Sequence, residues 1–363
     1  MSNIPRVMFG PEIWSLQNDG GISRYFQELI NGLSSLGVGG KVFTHYNNNS
    51  RISDISLNNF QIYNLDNVKN SYQEISRLLA QESSNIILHP TYYSKNIIRL
   101  SKPNSKLVLT VFDMISELFP ERRPRFKRVM DEKKFSIKKA DHIISISEQT
   151  KNDLIRLYKI PEDKITVTYL GSNLHQVPEF KLNPLVRKPF LLYVGKRSGY
   201  KNFMNFVIAY SQSKLLKNNF SIVAIGGGKF TKNEIVQFEN LGILNLLIHV
   251  EADDVLLAAY YRNAACLVYP SLYEGFGLPP VEAMSLNCLV IASSEGSIPE
   301  ICKNAAIYFN PMSIDSIRNC LEKALEDQQI IFEKRQIGLR VAANYTWENT
   351  AVNTLNVYKK IIG

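Results

Sequence analysis

Apolar residues in this chain fall into two patterns: short unbroken runs, and longer stretches in which they recur every three or four positions. The first kind predicts strands, and the second predicts helices with one buried face. Arg6-Val7-Met8-Phe9, Ile86-Ile87-Leu88, Leu107 to Phe112, Ala140 to Ser147, Val167 to Gly171, Phe190 to Gly195, Ile222 to Ile225, Cys266 to Tyr269 and Leu289 to Ala292 are runs of the first kind. Unbroken apolar strands suit a parallel sheet covered on both faces. Alternation between Lys41 and Asn70 predicts further strands with asparagine-rich connections. Phe26, Leu29, Ile30 and Leu33 share one helical face, as do Trp347, Ala351, Leu355, Tyr358 and Ile362. A helix is expected from near Glu148, and another over Val281-Glu282-Ala283-Met284. Strands alternating with helices predict an α/β fold of doubly wound parallel sheets.

The length of 363 residues and 45% hydrophobic content allow two domains, each with its own core. Ser172 to Pro189 is polar, lacks periodicity and holds Pro178, Pro184 and Pro189. The expected division is an N-terminal domain over 1–173, a linker over 174–189, a second domain over 190–345 and a terminal helix over 346–363. Cys266, Cys288, Cys302 and Cys320 are widely spaced, so neither a disulfide framework nor a zinc site is expected. Met1 to Arg6 lacks the apolar core of a signal peptide, and no apolar run approaches the roughly 18 residues of a membrane span. A cytoplasmic protein is the expectation. The formal charge of +9 asks for an anionic partner. Basic residues gather in Arg122 to Arg128 and continue to Lys133, Lys134, Lys138 and Lys139. They make either a solvated helix face or a patch for peripheral contact with the inner membrane leaflet, and no nucleic-acid motif is interleaved with them.

Tyr269 to Ala283 reads as strand, glycine loop and helix, a ready anion site because loop amides and a helix N-terminus converge there. Gly275 and Gly277 can take positive φ and let the backbone approach a phosphate. Glu274 and Glu282 bracket the loop and would repel phosphate, which assigns them to sugar hydroxyls; for Glu282, a role in complementing the helix dipole is the alternative. Gly20-Gly21 repeats the plan near the start. Residues at the carboxyl ends of parallel strands face the ligand crevice, which brings His89, Asp113 and Ser147 forward as cleft candidates. Gly226-Gly227-Gly228 follows another strand without the G-x-G-x-x-G spacing of dinucleotide binders, against a dehydrogenase.

Glu274-Gly275-Phe276-Gly277-Leu278-Pro279, with Glu274 and Glu282 eight positions apart, resembles the donor site of retaining glycosyltransferases of family 4. Gly20 to Tyr25, Lys196 to Lys201 and Ser297 to Glu300 sit where that family has further signatures. The resemblance implies a GT-B fold, two Rossmann-like domains facing a cleft, with the terminal helix crossing back to the first. It implies donor contacts from Gly20, Gly21, Lys201, Gly275, Phe276, Gly277, Leu278 and Glu282, and from Arg197 with Lys196 in reserve. The catalytic candidates are Glu274 and Asp113. Where the family commonly has His-Asp this chain has Phe112-Asp113, and Asp113 is either the acceptor-side carboxylate or a helix cap.

No Asp-x-Asp occurs, and the cations offer the potential a leaving diphosphate needs. The expectation is therefore metal-independent transfer, without a cofactor, of a hexose or deoxyhexose of mannose or rhamnose type. The donor would be GDP-, UDP- or dTDP-linked, and the acceptor lipid-linked or a saccharide in surface polysaccharide or lipopolysaccharide synthesis. The alternative is a catalytically silent nucleotide-sugar or glycan-binding protein of the same fold.

Overall fold

The structure, a computed structural model, describes residues 4–17, 20–45, 50–53, 55, 58–81, 86–103, 105–120, 127–182 and 189–363. Most of the basic run, Arg122 to Phe126, and Pro184 of the expected linker lie outside them. The chain divides into two compact units, residues 1–171 with 346–363, and residues 172–345.

In the first unit the strands are β1 Arg6–Phe9, β2 Gly39–His45, β3 Phe60–Leu65, β4 Ile86–His89, β5 Ser105–Val111, β6 His142–Ser145 and β7 Ile165–Val167. They form one sheet in the order β3-β2-β1-β4-β5-β6-β7. Every neighbouring pair is parallel, with Phe9 of β1 opposite His89 of β4. The chain reverses its direction of winding between β1 and β4, which puts the loops after these two strands at the switch point where such sheets bind ligands. The helix Gly21–Ser35 buries Tyr25, Phe26, Leu29, Ile30 and Leu33 completely, the face that the 3.6-residue period marks. The terminal helix Trp347–Ile362 belongs to this unit and packs on Gly21–Ser35. Its Thr350 hydroxyl donates to the Tyr169 carbonyl at 2.8 Å.

Two expected strands differ. The alternation running to Asn70 stops at Leu65, and a helix spans Val68–Gln81, with Ile75 and Leu79 fully buried four residues apart on one face. The run to Gly171 is a strand only through Val167; the Thr168 amide still bonds the Ser145 carbonyl at 2.9 Å, after which the Tyr169 carbonyl turns to Thr350.

The second unit's strands are β8 Phe190–Val194, β9 Ser221–Ile225, β10 Leu247–Val250, β11 Cys266–Tyr269, β12 Val290–Ser293 and β13 Ile307–Phe309. Their order is β10-β9-β8-β11-β12-β13, all parallel, with the switch between β8 and β11. One face is sealed by Phe203, Phe206, Tyr210 and Phe238, which pack on Leu191, Ile222 and Val268. Each such side chain contributes about 1.5–3 kcal/mol relative to exposure. The expected linker is not a free spacer at its start. Leu174–Gln176 forms a 3-10 turn against the helices Asp254–Asn263 and Leu278–Ser285, and Arg262 donates to the Val177 carbonyl at 2.6 Å. Cys266, Cys288 and Cys302 are buried free thiols, and Cys320 is half-buried.

Candidate functional site

The two strands flanking the switch in the second unit each end in a loop that carries site candidates. After β8 come Lys196, Arg197 and the 3-10 turn Gly199–Lys201; after β11 comes the loop 270–277. The loops are stitched together, since the Leu272 amide donates to the Tyr200 carbonyl at 2.7 Å. Asn202, in the left-handed conformation at φ 57°, donates to the carbonyls of Pro270 and Pro311 at 3.1 and 2.8 Å. This places the Lys201 ammonium 2.7 Å from Glu274 Oε1 and 3.4 Å from the Tyr269 hydroxyl, above the rings of Tyr200 and Tyr269. An ammonium has three N–H bonds, so Lys201 can hold Glu274 and still offer a donor to a further oxygen.

Arg197 and Lys196 have opposite surroundings. Arg197 is 7% exposed: Nε donates to Glu234 Oε1 at 2.7 Å, Nη1 to the Gly226 carbonyl at 2.6 Å, and Nη2 to the Lys229 carbonyl at 3.0 Å. Its guanidinium lies 4.8 Å from the centre of the Phe230 ring. Burial alone would raise the Glu234 pKa, but the hydrogen bonds from Arg197 and Thr231 hold it below the usual range. Glu234 also completes the capping box of the helix Lys232–Asn240. Most of the Arg197 donors thus fasten the turn after β9, which leaves one Nη1 hydrogen for a ligand. Lys196 is exposed and its ammonium has no partner among the described residues, at the rim of a cavity of about 500 Å³ lined also by Ser198, Gly227 and Glu234.

Glu274 is 7% exposed, and its loop is held from behind. The Ser297 hydroxyl faces the carbonyls of Glu274 and Phe276 at 3.0 and 2.9 Å, and Gly296, at φ +65°, passes so close that a Cβ would lie 2.9 Å from the Glu274 amide nitrogen. Phe276 packs edge-on against Tyr345, with ring centres 5.6 Å apart. Gly275 and Gly277 are buried, and Gly277 takes φ +98° as the residue before the helix Leu278–Ser285. Pro279 and Pro280 carry no N–H, so in the first turn Leu278 and Val281 alone supply amides, and the helix acts at this spot more through its dipole than through direct donors. Glu282 is in the second turn, not the first as expected; it is 6% exposed and accepts from the Tyr261 hydroxyl at 3.0 Å.

In the first unit, Gly20 is extended (φ 174°) and precedes the helix Gly21–Ser35, whose Ser23 amide donates to Gln17 Oε1 at 3.3 Å. Asp113, half-buried after β5, accepts from the Ile115 amide through Oδ1 at 2.9 Å, the capping geometry, while Oδ2 has no partner among the described residues. Its segment is anchored by Lys133, which donates to the Asp113 carbonyl and lies 2.9 Å from Glu117 Oε2; the Tyr158 hydroxyl donates to Oε1 of the same carboxylate at 2.9 Å. Lys133 is thus turned inward, 2% exposed, and does not share the basic surface. His89 and Ser147 do not line an open surface. His89 is fully buried between the Tyr358 hydroxyl at 2.6 Å and the Thr110 hydroxyl at 2.9 Å, and burial pushes its pKa down to about 3. Ser147 is fully buried as the cap of the helix Glu148–Tyr158, accepting from the Thr150 amide at 3.0 Å.

Asn202, Tyr269, Glu234 and Ser297 are site-building residues that motif reasoning left without a role. The one local signal was Asn202, since asparagine is among the few residues that tolerate the left-handed conformation. Among the described residues no group of three or more His, Cys, Asp or Glu is placed to hold a metal ion, and no helix is long and apolar enough to cross a membrane.

Comparison with known proteins bears on the family and the fold. Residues 19–176 match the model of "Glycosyltransferase Family 4", and residues 178–337 that of "Glycosyl transferases group 1". The O-antigen chain mannosyltransferase B of Escherichia coli is 28% identical over 269 residues, 70% of each chain. The serotype-specific mannosyltransferase WbdA of Escherichia coli is 26% identical over 274 residues, 71% of this chain but 34% of that longer protein. A sucrose-phosphate synthase from Thermosynechococcus elongatus superimposes with a TM-score of 0.77 over 98% of both chains at 18% identity, a likeness of fold. With both sheets in Rossmann order and both halves matched, this chain belongs to the family 4 glycosyltransferases, enzymes of the GT-B fold.

Proposed function

We propose that this enzyme transfers a hexose of mannose type from a nucleoside diphosphate sugar to a lipid-linked or saccharide acceptor in O-antigen or lipopolysaccharide synthesis, with retention of configuration and without a metal. The observation that carries this reading is the pairing of Lys201 with Glu274 at the switch point, a cation and a carboxylate 2.7 Å apart on loops stapled to each other. In the ground state the donor's diphosphate lies against Lys201 and Lys196, and Glu274 accepts from sugar hydroxyls. As the bond from C1 to the phosphate oxygen breaks, its electron pair leaves with the nucleoside diphosphate, and the two ammonium groups stabilise the charge that grows there. The acceptor oxygen bonds to C1 on the same face, and its proton passes to the departing phosphate oxygen. Asp113, with Oδ2 open, is the acceptor-side carboxylate in this scheme. Phe276, Leu278 and Glu282 shape the donor pocket at the switch point of the second unit.

The mannose assignment is supported by the mannosyltransferases among the relatives. The nucleoside, whether guanosine, uridine or thymidine, is left to experiment. A lipid-linked acceptor implies peripheral contact with the inner leaflet, which exposed Lys127, Arg128 and Lys134 would favour electrostatically. The test is a panel of GDP-, UDP- and dTDP-linked hexoses with acceptor and excess EDTA, read by product mass and by the anomeric coupling of the new linkage. Transfer of mannose with an α product in EDTA is expected; strict dependence on added divalent metal, or inversion, contradicts the reading.

A further inference from the structure

The first unit has a second concave surface, at the opposite end of its strands from the switch-point loops. It is formed by the chain leading into β5 and into β6, at their amino ends, whereas ligand crevices of such sheets lie at the carboxyl ends. The cavity measures about 440 Å³, and Arg99, Lys102, Lys106 and Lys139 line it together with one carboxylate, Asp141, and the half-buried ring of Phe135. Four cations against one carboxylate leave a formal excess of three positive charges. The carboxylate is itself engaged, since Asp141 Oδ2 accepts from the Leu107 amide at 2.7 Å.

None of the four cations has an anionic partner among the described residues. Elsewhere in the same unit Arg77, Arg128, Lys133, Lys151 and Arg156 are each within 4 Å of a carboxylate. What sets these four apart from other exposed cations of the unit is that they gather around a single hollow. A concave wall with apolar backing focuses the positive potential into it.

We propose that this pocket is an anion site that takes a phosphate-bearing group, separate from the donor site and independent of the sugar it uses. The Arg99 guanidinium suits a bidentate grip on phosphate oxygens, and the three ammonium groups supply point charges around it. The volume leaves room for the substituent that the phosphate carries. That group can belong to a free phosphate compound or to an anionic lipid headgroup, and the experiment separates these sources.

The full-length protein is titrated with inorganic pyrophosphate in one arm and sedimented with phosphatidylglycerol-containing vesicles in the other. A Lys196→Met, Lys201→Met background, shared by every protein compared, removes both cations of the donor site. The triple variant Lys102→Gln, Lys106→Gln, Lys139→Gln is compared with a control, Lys69→Gln, Lys164→Gln, Lys359→Gln, which removes the same charge from exposed positions of the same unit. The expected result is a loss of about tenfold or more in the pocket variant and less than about threefold in the control, with unchanged melting temperatures. Loss confined to pyrophosphate assigns a soluble phosphate ligand, and loss confined to vesicles assigns a headgroup. Equal losses in both variants, or no loss in either arm, overturn the proposal.

Discussion

Lys196 and Arg197 are neighbours in the chain, and only their surroundings tell their roles apart. Arg197→Met leaves the half-buried Glu234 without its cation and frees the turn after β9, at a cost of about 1.5–3 kcal/mol. The melting temperature of that variant is expected to fall by several degrees or more. Lys196→Met is expected to melt with the wild type and to bind nucleoside diphosphate about tenfold more weakly, because it loses one exposed cation. A thermal melt paired with a binding titration checks both. The motif located the segment, but adjacent basic residues read alike until the partner on the helix Lys232–Asn240 is seen. Glu12 and His89 give the first unit a pH signature. Burial raises the Glu12 pKa to about 7, with the Thr91 amide and hydroxyl among its partners, and lowers that of His89 to about 3. Glu12 therefore costs stability as pH rises from 4.5 to 7, and His89 costs stability as pH falls below 6.5, so their slopes oppose between 4.5 and 6.5. Glu12→Gln removes the first slope, up to about 3 kcal/mol. The melting temperature of the variant minus that of the wild type should rise as pH goes from 5 to 7; a flat difference contradicts the assignment.

At the level of elements, the strands were the most legible. Leu191-Leu192-Tyr193, Ile222-Val223-Ala224 and Cys266-Leu267-Val268 are unbroken apolar runs because helices or neighbours cover both faces of a central parallel strand. The helix Val68–Gln81 was hidden, because Phe60 with Ile62 and Tyr63 with Leu65, each two apart, read as strand almost up to its start. Glu282 was placed one turn too early because proline pairs mark a helix start without fixing its first residue, and Lys133 was read as surface because a basic run masks the one position that faces Glu117. The loop carrying Glu274 depends on backbone geometry that motif spacing implies only in part. Gly277→Ala forces a Cβ into the left-handed region at about 1–2 kcal/mol and is expected to tilt the helix Leu278–Ser285 away from its loop. Ser297→Ala removes the hydroxyl behind Glu274 and is expected to lower kcat several-fold and, by leaving a buried carbonyl without its donor, to cost about 1–3 kcal/mol of stability, whereas Ser297→Thr should restore most of both; kinetics and a melt on each variant check this.

Across the whole molecule, the composition foretold two cores, and the strand order of each sheet follows the Rossmann plan that the alternation of elements implied. The terminal helix was legible as one apolar face, but its chemical tie was not: Tyr358 closes the hydrogen bond to His89 across 269 positions of sequence. Of the +9 charge, Lys196 and Lys201 lie on the loop after β8, where the proposed reading puts the leaving diphosphate, and four further cations line the amino-end pocket. The central claim, that cations at the switch point of the second unit drive departure of a nucleoside diphosphate, is tested most directly by the transfer rate from GDP-mannose in EDTA for wild type and Lys201→Met. The account predicts that the wild type turns over and that the variant loses about 100-fold or more in kcat. A variant with wild-type kcat, or a wild type silent until a divalent metal is added, would contradict it.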